Sequence, residues 1–182
     1  MDKSIKKKNP YKFFTVFLVI VVAAMGIYFF LPRETGEAVA NVFTLPEVST
    51  SGFVQVTPNA QVVGDTGVVT LTGNCYQVTA NTEVSQAVSV ANGLLGKIDV
   101  RPNTHDLMKS AFQNLGINVV MLKIVDLRNS TYFGKLIIKQ GNNVLSLDTR
   151  PSDGIALAVR MGAPIYLNQE LLLKNGLNVC SQ

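Results

Sequence analysis

From Gly52 onward the apolar residues switch between a period of two and a period near 3.6, and the switches divide the chain into elements. Phe53-Val54-Gln55-Val56 and Val68-Val69-Thr70-Leu71-Thr72 predict strands, being short and rich in β-branched residues. Gly73-Asn74 marks a turn, and Cys75-Tyr76-Gln77-Val78 follows as a hairpin partner. Thr82 opens a helix whose apolar positions are Val84, Ala87, Val88, Ala91 and Leu95, with Gly93 and Gly96 closing it. A second helix starts at Asn103 or Thr104, both good N-caps, carries Leu107, Met108, Ala111, Phe112 and Leu115, and stops at Gly116. Val119–Val125 and Thr131–Lys139 predict two more strands. Gln140-Gly141-Asn142-Asn143 then turns the chain into a strand over Val144–Asp148. Pro151 sits where a helix N-terminus tolerates a missing N–H, and Ile155, Leu157, Ala158 and Val159 fill that third helix. Gly162 and Pro164 end it. Ile165-Tyr166-Leu167 reads as a short strand, and Glu170–Lys174 as a last helical turn. The hairpins imply antiparallel pairing, so the pattern predicts a single α+β domain over 52–182, a mixed, largely antiparallel sheet packed by about three helices.

The N-terminal pattern is of another kind. Phe13–Leu31 runs 19 residues without a charge. As a helix it would span roughly 28 Å, close to the hydrocarbon thickness of a bilayer. Five lysines precede it in residues 1–12, a basic tail that places the N-terminus on the cytoplasmic side and the domain outside. Residues 13–31 are therefore expected to be a single transmembrane helix or signal anchor in contact with lipid, and 32–51 a stalk. The alternative is a cleaved leader, with Ala38-Val39-Ala40 as the small-x-small site before Asn41. Both readings export the domain.

Charge sharpens this. Once the first twelve residues are set aside, eleven basic and eleven acidic residues remain and cancel. The net charge of +4 belongs to the tail and is no footprint for nucleic acid. The two cysteines, Cys75 and Cys180, are free to form a disulfide outside the cell or to stay as two thiols.

No glycine-rich phosphate loop, zinc spacing or nucleophile elbow is present. Chemistry has to come from charged residues at element ends. Asp148-Thr149-Arg150-Pro151-Ser152-Asp153 packs a strand end, a turn and a helix start into six residues. There the helix N-terminus and Arg150 could face an anion, or Ser152 and Asp153 could act as caps. His105 is the sole histidine, flanked by Thr104 and Asp106, so any histidine acid–base role falls to it. Its bland alternative is an exposed ring in a first helical turn. Asp126 and Arg128 fall on a connection that could be a solvated turn, and Arg160 at the end of the third helix suits the C-terminal dipole.

Arg101-Pro102-Asn103-Thr104-His105-Asp106-Leu107 resembles the RPxTHDL segment of the bifunctional nuclease (BFN) domain family. The run from Asp148 through Arg150, Ser152, Asp153 and Arg160 to Ile165 resembles its ARPSDAIALALRxGAPI signature. The likeness covers roughly 52–173. It implies an α+β domain associated with DNase and RNase activity. It singles out Arg101, Thr104, His105, Asp106, Asp126, Arg128, Asp148, Arg150, Ser152, Asp153 and Arg160. Gly154 stands where the family usually has alanine, which should weaken the helix start by up to about 1 kcal/mol. The predicted export also departs from a family mostly read as soluble and intracellular.

Two functions follow from these residues. In the first, a membrane-tethered nuclease, Asp106, Asp148 and Asp153 hold Mg²⁺ or Mn²⁺ as catalytic and metal-binding carboxylates. Arg150 and Arg128 clamp phosphate, Arg101, Thr104 and Ser152 contact substrate, and His105 protonates the leaving oxygen. In the second, a non-catalytic binding or assembly module, the same residues serve as caps and pins. Neutral charge favours that module, and the hairpin edges leave room for a homo-oligomer.

Overall fold

A computed structural model describes residues 47–180. The expected tail 1–12, the membrane helix 13–31, the Ala38-Val39-Ala40 site and most of the stalk lie outside those residues. Among the described residues no helix is long and apolar enough to cross a membrane.

The described chain holds eight strands and four helices: β1 (Phe53–Val63), β2 (Thr66–Gly73), β3 (Tyr76–Thr82), α1 (Val84–Leu94), α2 (Thr104–Asn114), β4 (Ile117–Arg128), β5 (Thr131–Gln140), β6 (Asn143–Thr149), α3 (Pro151–Met161), β7 (Ile165–Asn168), α4 (Gln169–Asn175) and β8 (Leu177–Asn178). The strands form one sheet in the order β6-β5-β4-β7-β1-β2-β3-β8. Every pairing is antiparallel except β4 with β7, where Leu122 faces Ile165. The α+β reading with a mixed, mostly antiparallel sheet therefore holds.

β1 joins the two halves of the sheet. Phe53–Val56 pairs with β7, and Thr57 to Val63 pairs with β2. Tight turns at Asn74-Cys75 and Asn129-Ser130 close the β2–β3 and β4–β5 hairpins with positive φ at all four residues, the hand that matches strand twist. Cys75 thus belongs to the turn, and the expected strand begins one residue later. It forms a disulfide with Cys180, pinning the chain end beside β8.

α3 lies at the centre. Ile155, Ala156, Leu157 and Ala158 are all buried, against Leu122, Ile124 and Leu167 of the sheet. Gly154 makes that approach close. A Cβ there would stand 2.5 Å from Leu122 Cδ1 and 3.0 Å from Thr149 Cγ2. The glycine read from sequence as a weakness in the helix is the residue that lets helix and sheet touch.

The other two long helices correct the expected apolar stripes. α1 buries Ala87, Ser89, Val90 and Gly93, while Val84, Val88 and Leu95 are exposed. α2 leaves Leu107, Met108 and Leu115 exposed and buries Asp106. Ala87 of α1 and Phe112 of α2 do pack inward as expected, while Ser89 and Asp106 join them to meet His105 and Arg160.

Candidate active site at the start of helices α2 and α3

The first turn of α2 is fixed by its own sequence. Asn103 is the N-cap, and its side-chain oxygen accepts from the backbone N–H of His105 (2.9 Å) and Asp106 (3.1 Å). Asp106 answers by accepting from the Asn103 N–H through Oδ2 at 3.0 Å, completing a capping box. Its other oxygen, Oδ1, accepts from Arg160 Nε at 2.7 Å. Burial opposes ionisation of Asp106. The hydrogen bonds from Arg160 and from the Asn103 backbone outweigh it, so the carboxyl lies below the ordinary aspartate value.

Arg160 lies in the last turn of α3, as its position in sequence suggested, and its guanidinium also reaches the two neighbouring helices. Its side chain is 4 % exposed, and Nη1 donates to the carbonyl oxygens of Ser89 and Ala156, each at 2.8 Å. Gly93 of α1 admits it: a Cβ at that position would lie 2.6 Å from Nη1. One guanidinium thus locks α1, α2 and α3 together.

The lock brings the two arginine-proline segments into one place. His105 Nδ1 lies 2.9 Å from Ser89 Oγ, and Nε2 lies 3.4 Å from Asp153 Oδ1. Asn103 Nδ2 donates to the same Ser89 oxygen at 3.2 Å. Ser89 can then give its own proton to Nδ1, which leaves the ring proton on Nε2, facing Asp153. Burial pushes the His105 pKa down. Asp153 works against that, Arg160 adds to it, and the net shift is downward, so the ring is neutral at pH 7. Asp153 is 34 % exposed, and its Oδ2 stands 3.7 Å from Arg150 Nε.

Asp153 and Asp106 occupy the same third position of their helices, yet do different work. Asp106 caps its helix. Asp153 turns to His105 and Arg150, and the α3 N-terminus has no side-chain cap.

These residues face a cleft of about 700 Å³. Thr104, His105, Asp148 and Asp153 line its polar side, while Met108, Phe112, Leu136, Leu147 and Leu157 form an apolar wall. Asp148 also pairs with Lys135 at 3.3 Å. Arg150 and Ser152 line a second groove beside it, as does the β4–β5 hairpin.

Of the expected site residues, Thr104, His105, Asp148 and Asp153 meet at the cleft, and Arg150 reaches its edge through Asp153. Arg101 is exposed and lines neither cavity. Asp126 and Arg128 lie within β4, paired with β5, rather than on a connection, and they pair with each other near the hairpin end, where Arg128 also covers the Phe133 ring. Among the described residues no three His, Cys, Asp or Glu side chains are grouped so as to hold a metal ion. Asp106 is committed to Arg160, which leaves Asp148 and Asp153 as the carboxylates facing the cleft. Sequence reasoning missed Ser89. Its one signal was a serine beside Val88 and Val90 on a helix whose neighbours are apolar.

Comparison with known proteins returns a match of residues 78–179 to the bifunctional nuclease domain. An uncharacterized protein of Mycobacterium tuberculosis is 36 % identical over 93 residues, 51 % of this chain and 55 % of that protein. Bifunctional nuclease 1 of rice (Oryza sativa subsp. japonica) is 33 % identical over 82 residues, 43 % of this chain and 25 % of the plant protein. Bifunctional nuclease 1 of Arabidopsis thaliana is 30 % identical over the same length. The chain thus spans about half of the mycobacterial relative and a quarter of the plant ones.

Proposed function

Because this chain belongs to the bifunctional nuclease domain family, we propose that the His105–Asp153 cleft hydrolyses phosphodiester bonds of DNA or RNA. The observation that carries the reading is the contact between a neutral, doubly held imidazole and a part-exposed carboxylate at the rim of an apolar cleft. Asp153 takes a proton from an attacking water. One P–O bond forms, another breaks, and the proton passes from Asp153 to the departing oxygen. His105 holds the carboxylate through Nε2–H. That role suits its lowered pKa better than direct protonation of the leaving group does. Arg150 offsets charge on the phosphoryl oxygens.

The test is cleavage of single- and double-stranded DNA and RNA by the purified chain, with Mg²⁺, with Mn²⁺ and with chelator. Asp153→Asn and His105→Ala variants of verified folding run alongside. Cleavage lost in both variants supports the reading, and dependence on the ion would assign a cation role to Asp148 and Asp153. Cleavage equal in all three proteins would remove the site from the chemistry.

One observation favours a second reading, a non-catalytic binding module. Asp106 and Arg160, both within the family-like motifs, are buried as fasteners and pair with each other. The absence of cleavage under every condition would make this the better account.

We also propose that residues 13–31 tether the domain to a bilayer, outside the cell, with the N-terminus cytoplasmic. The five lysines before the apolar run and the Cys75–Cys180 disulfide, a bond that persists in oxidising compartments, support this. Protease added to intact cells should remove the domain. Resistance until the membrane is permeabilised would place it inside.

A further inference from the structure

We propose that the groove on the far side of the α3 N-terminus is a second site, which binds the phosphate and body of a nucleoside monophosphate. Successive helical residues project about 100° apart, so neighbours at a helix start can serve different cavities. Asp153 faces the His105 cleft, while Ser152 faces a separate groove of about 570 Å³. That groove runs between β3 and the β4–β5 hairpin, above Pro151.

Three features of the groove point to an anion. Ser152 is only 9 % exposed, and its hydroxyl, which makes no hydrogen bond among the described residues, opens on the groove. The start of α3 has no side-chain cap. The first N–H bonded back into the helix belongs to Gly154, so the N–H groups of Ser152 and Asp153 stand at the positive end of the helix. Arg150, 58 % exposed, lines the same groove and is held to Asp153 only at 3.7 Å. A phosphate oxygen accepting from Ser152 Oγ and these N–H groups, with the guanidinium alongside, would satisfy all of them.

The rest of the groove describes what the phosphate is attached to. Leu71, Val78 and Ile155 form an apolar floor, and Ser130, Thr131 and Ser152 stand at its edge. An apolar floor with hydroxyl residues at its edge suits a flat base on a sugar rather than an alkyl chain. The size falls within the range of small-ligand sites. The choice of a nucleotide over another organic phosphate rests on the nuclease reading, whereas the anion site does not.

Calorimetric titration of the full chain in detergent with AMP, adenosine and inorganic phosphate tests this. AMP should bind saturably. Adenosine, and AMP with Ser152→Ala, should bind about tenfold more weakly, as expected for losing hydrogen bonds to a charged group. His105→Asn, in the neighbouring cleft, should leave AMP affinity unchanged, and circular dichroism checks that each variant is folded. Inorganic phosphate that competes with AMP would support the anion site. No binding of AMP at millimolar concentration would overturn the proposal. So would a loss of binding in His105→Asn that Ser152→Ala does not share. Neither result depends on cleavage, so a nuclease that fails this test remains a nuclease.

Discussion

Arg160 Nε donates to Asp106 Oδ1 at 2.7 Å across 54 residues of sequence, and both side chains are almost fully buried. The pair ties the last turn of α3 to the first turn of α2. His105 is next to Asp106 in the tied turn of α2, and Asp153 stands about two turns before Arg160 along α3, so the helix carries the tie to the His105–Asp153 contact. Stability and site geometry therefore share one contact.

Asp106→Asn should destabilise the domain by about 3–5 kcal/mol, because a buried guanidinium would lose its counter-charge. Arg160→Lys should cost a similar amount, since one ammonium cannot reach Asp106 and the carbonyls of Ser89 and Ala156 together. The depressed Asp106 pKa adds a pH signature. Its contribution is complete above the unfolded value of about 3.9 and fades as pH falls through the folded one. Urea unfolding at pH 7 and pH 3 measures both. A cost near zero at pH 7 would mean that the pair is not formed.

Gly93→Ala should act on the same lock without touching a charge. Alanine would normally strengthen a helix by up to about 1 kcal/mol over glycine. Here its Cβ would stand 2.6 Å from both Arg160 Nη1 and Val159 Cγ2, where overpacking costs about 1–3 kcal/mol. Thermal unfolding should show a lower Tm than the parent chain. A raised Tm would show that Arg160 moves aside freely.

Gly154→Ala, which restores the residue that the family usually carries, should also lower the Tm. Leu122 is fully buried, and its Cδ1 would meet the new Cβ at 2.5 Å. Here too the repulsion should exceed the gain in helix propensity. A Tm above that of the parent would mean that Leu122 has room to turn.

The fold was legible because turn chemistry and the strand period agree in this chain. Gly73-Asn74, Asn142-Asn143 and Pro151 each stand within a residue or two of an observed boundary. The faces of α1 and α2 were less legible. An apolar stripe identifies the buried side only when the neighbouring element offers an apolar surface. Arg160 of α3 draws Asp106 inward, and His105 and Asn103 of α2 draw the Ser89 hydroxyl inward, while Leu95 and Leu107 stay out. His105 and Asp153 could be named from motifs, but not their meeting, which depends on Arg160 and on Gly93. The two cysteines left pairing open, because a bond across 105 residues has no local signal.

That bond should be worth much to the domain. Closing a loop of this length restricts the unfolded chain by about 4–5 kcal/mol in the chain-entropy model. Reduction, or Cys180→Ser, should therefore lower the Tm clearly and release the short β8 strand first, since only Tyr76 and Gln77 pair with it. Hydrogen exchange of Leu177 with and without reductant checks the order of events. Unchanged protection there would show that the disulfide is dispensable.

The pH response of His105 can be read directly, because it is the only histidine in the chain. Burial lowers its pKa, Asp153 raises it and Arg160 lowers it, with a net fall below the ordinary value of about 6.5. The unfolded chain thus binds a proton that the folded chain refuses. Stability from this group is complete above about 6.5 and declines as pH falls toward the folded value. The ring Cε1–H resonance should titrate with a midpoint below that of a free imidazole. Asp153→Asn removes the main influence that holds the pKa up, so the midpoint should fall further in that variant. A midpoint that rises in Asp153→Asn would mean that Asp153 does not face the ring in solution, and the proposed role of His105 in holding the carboxylate would fall with it.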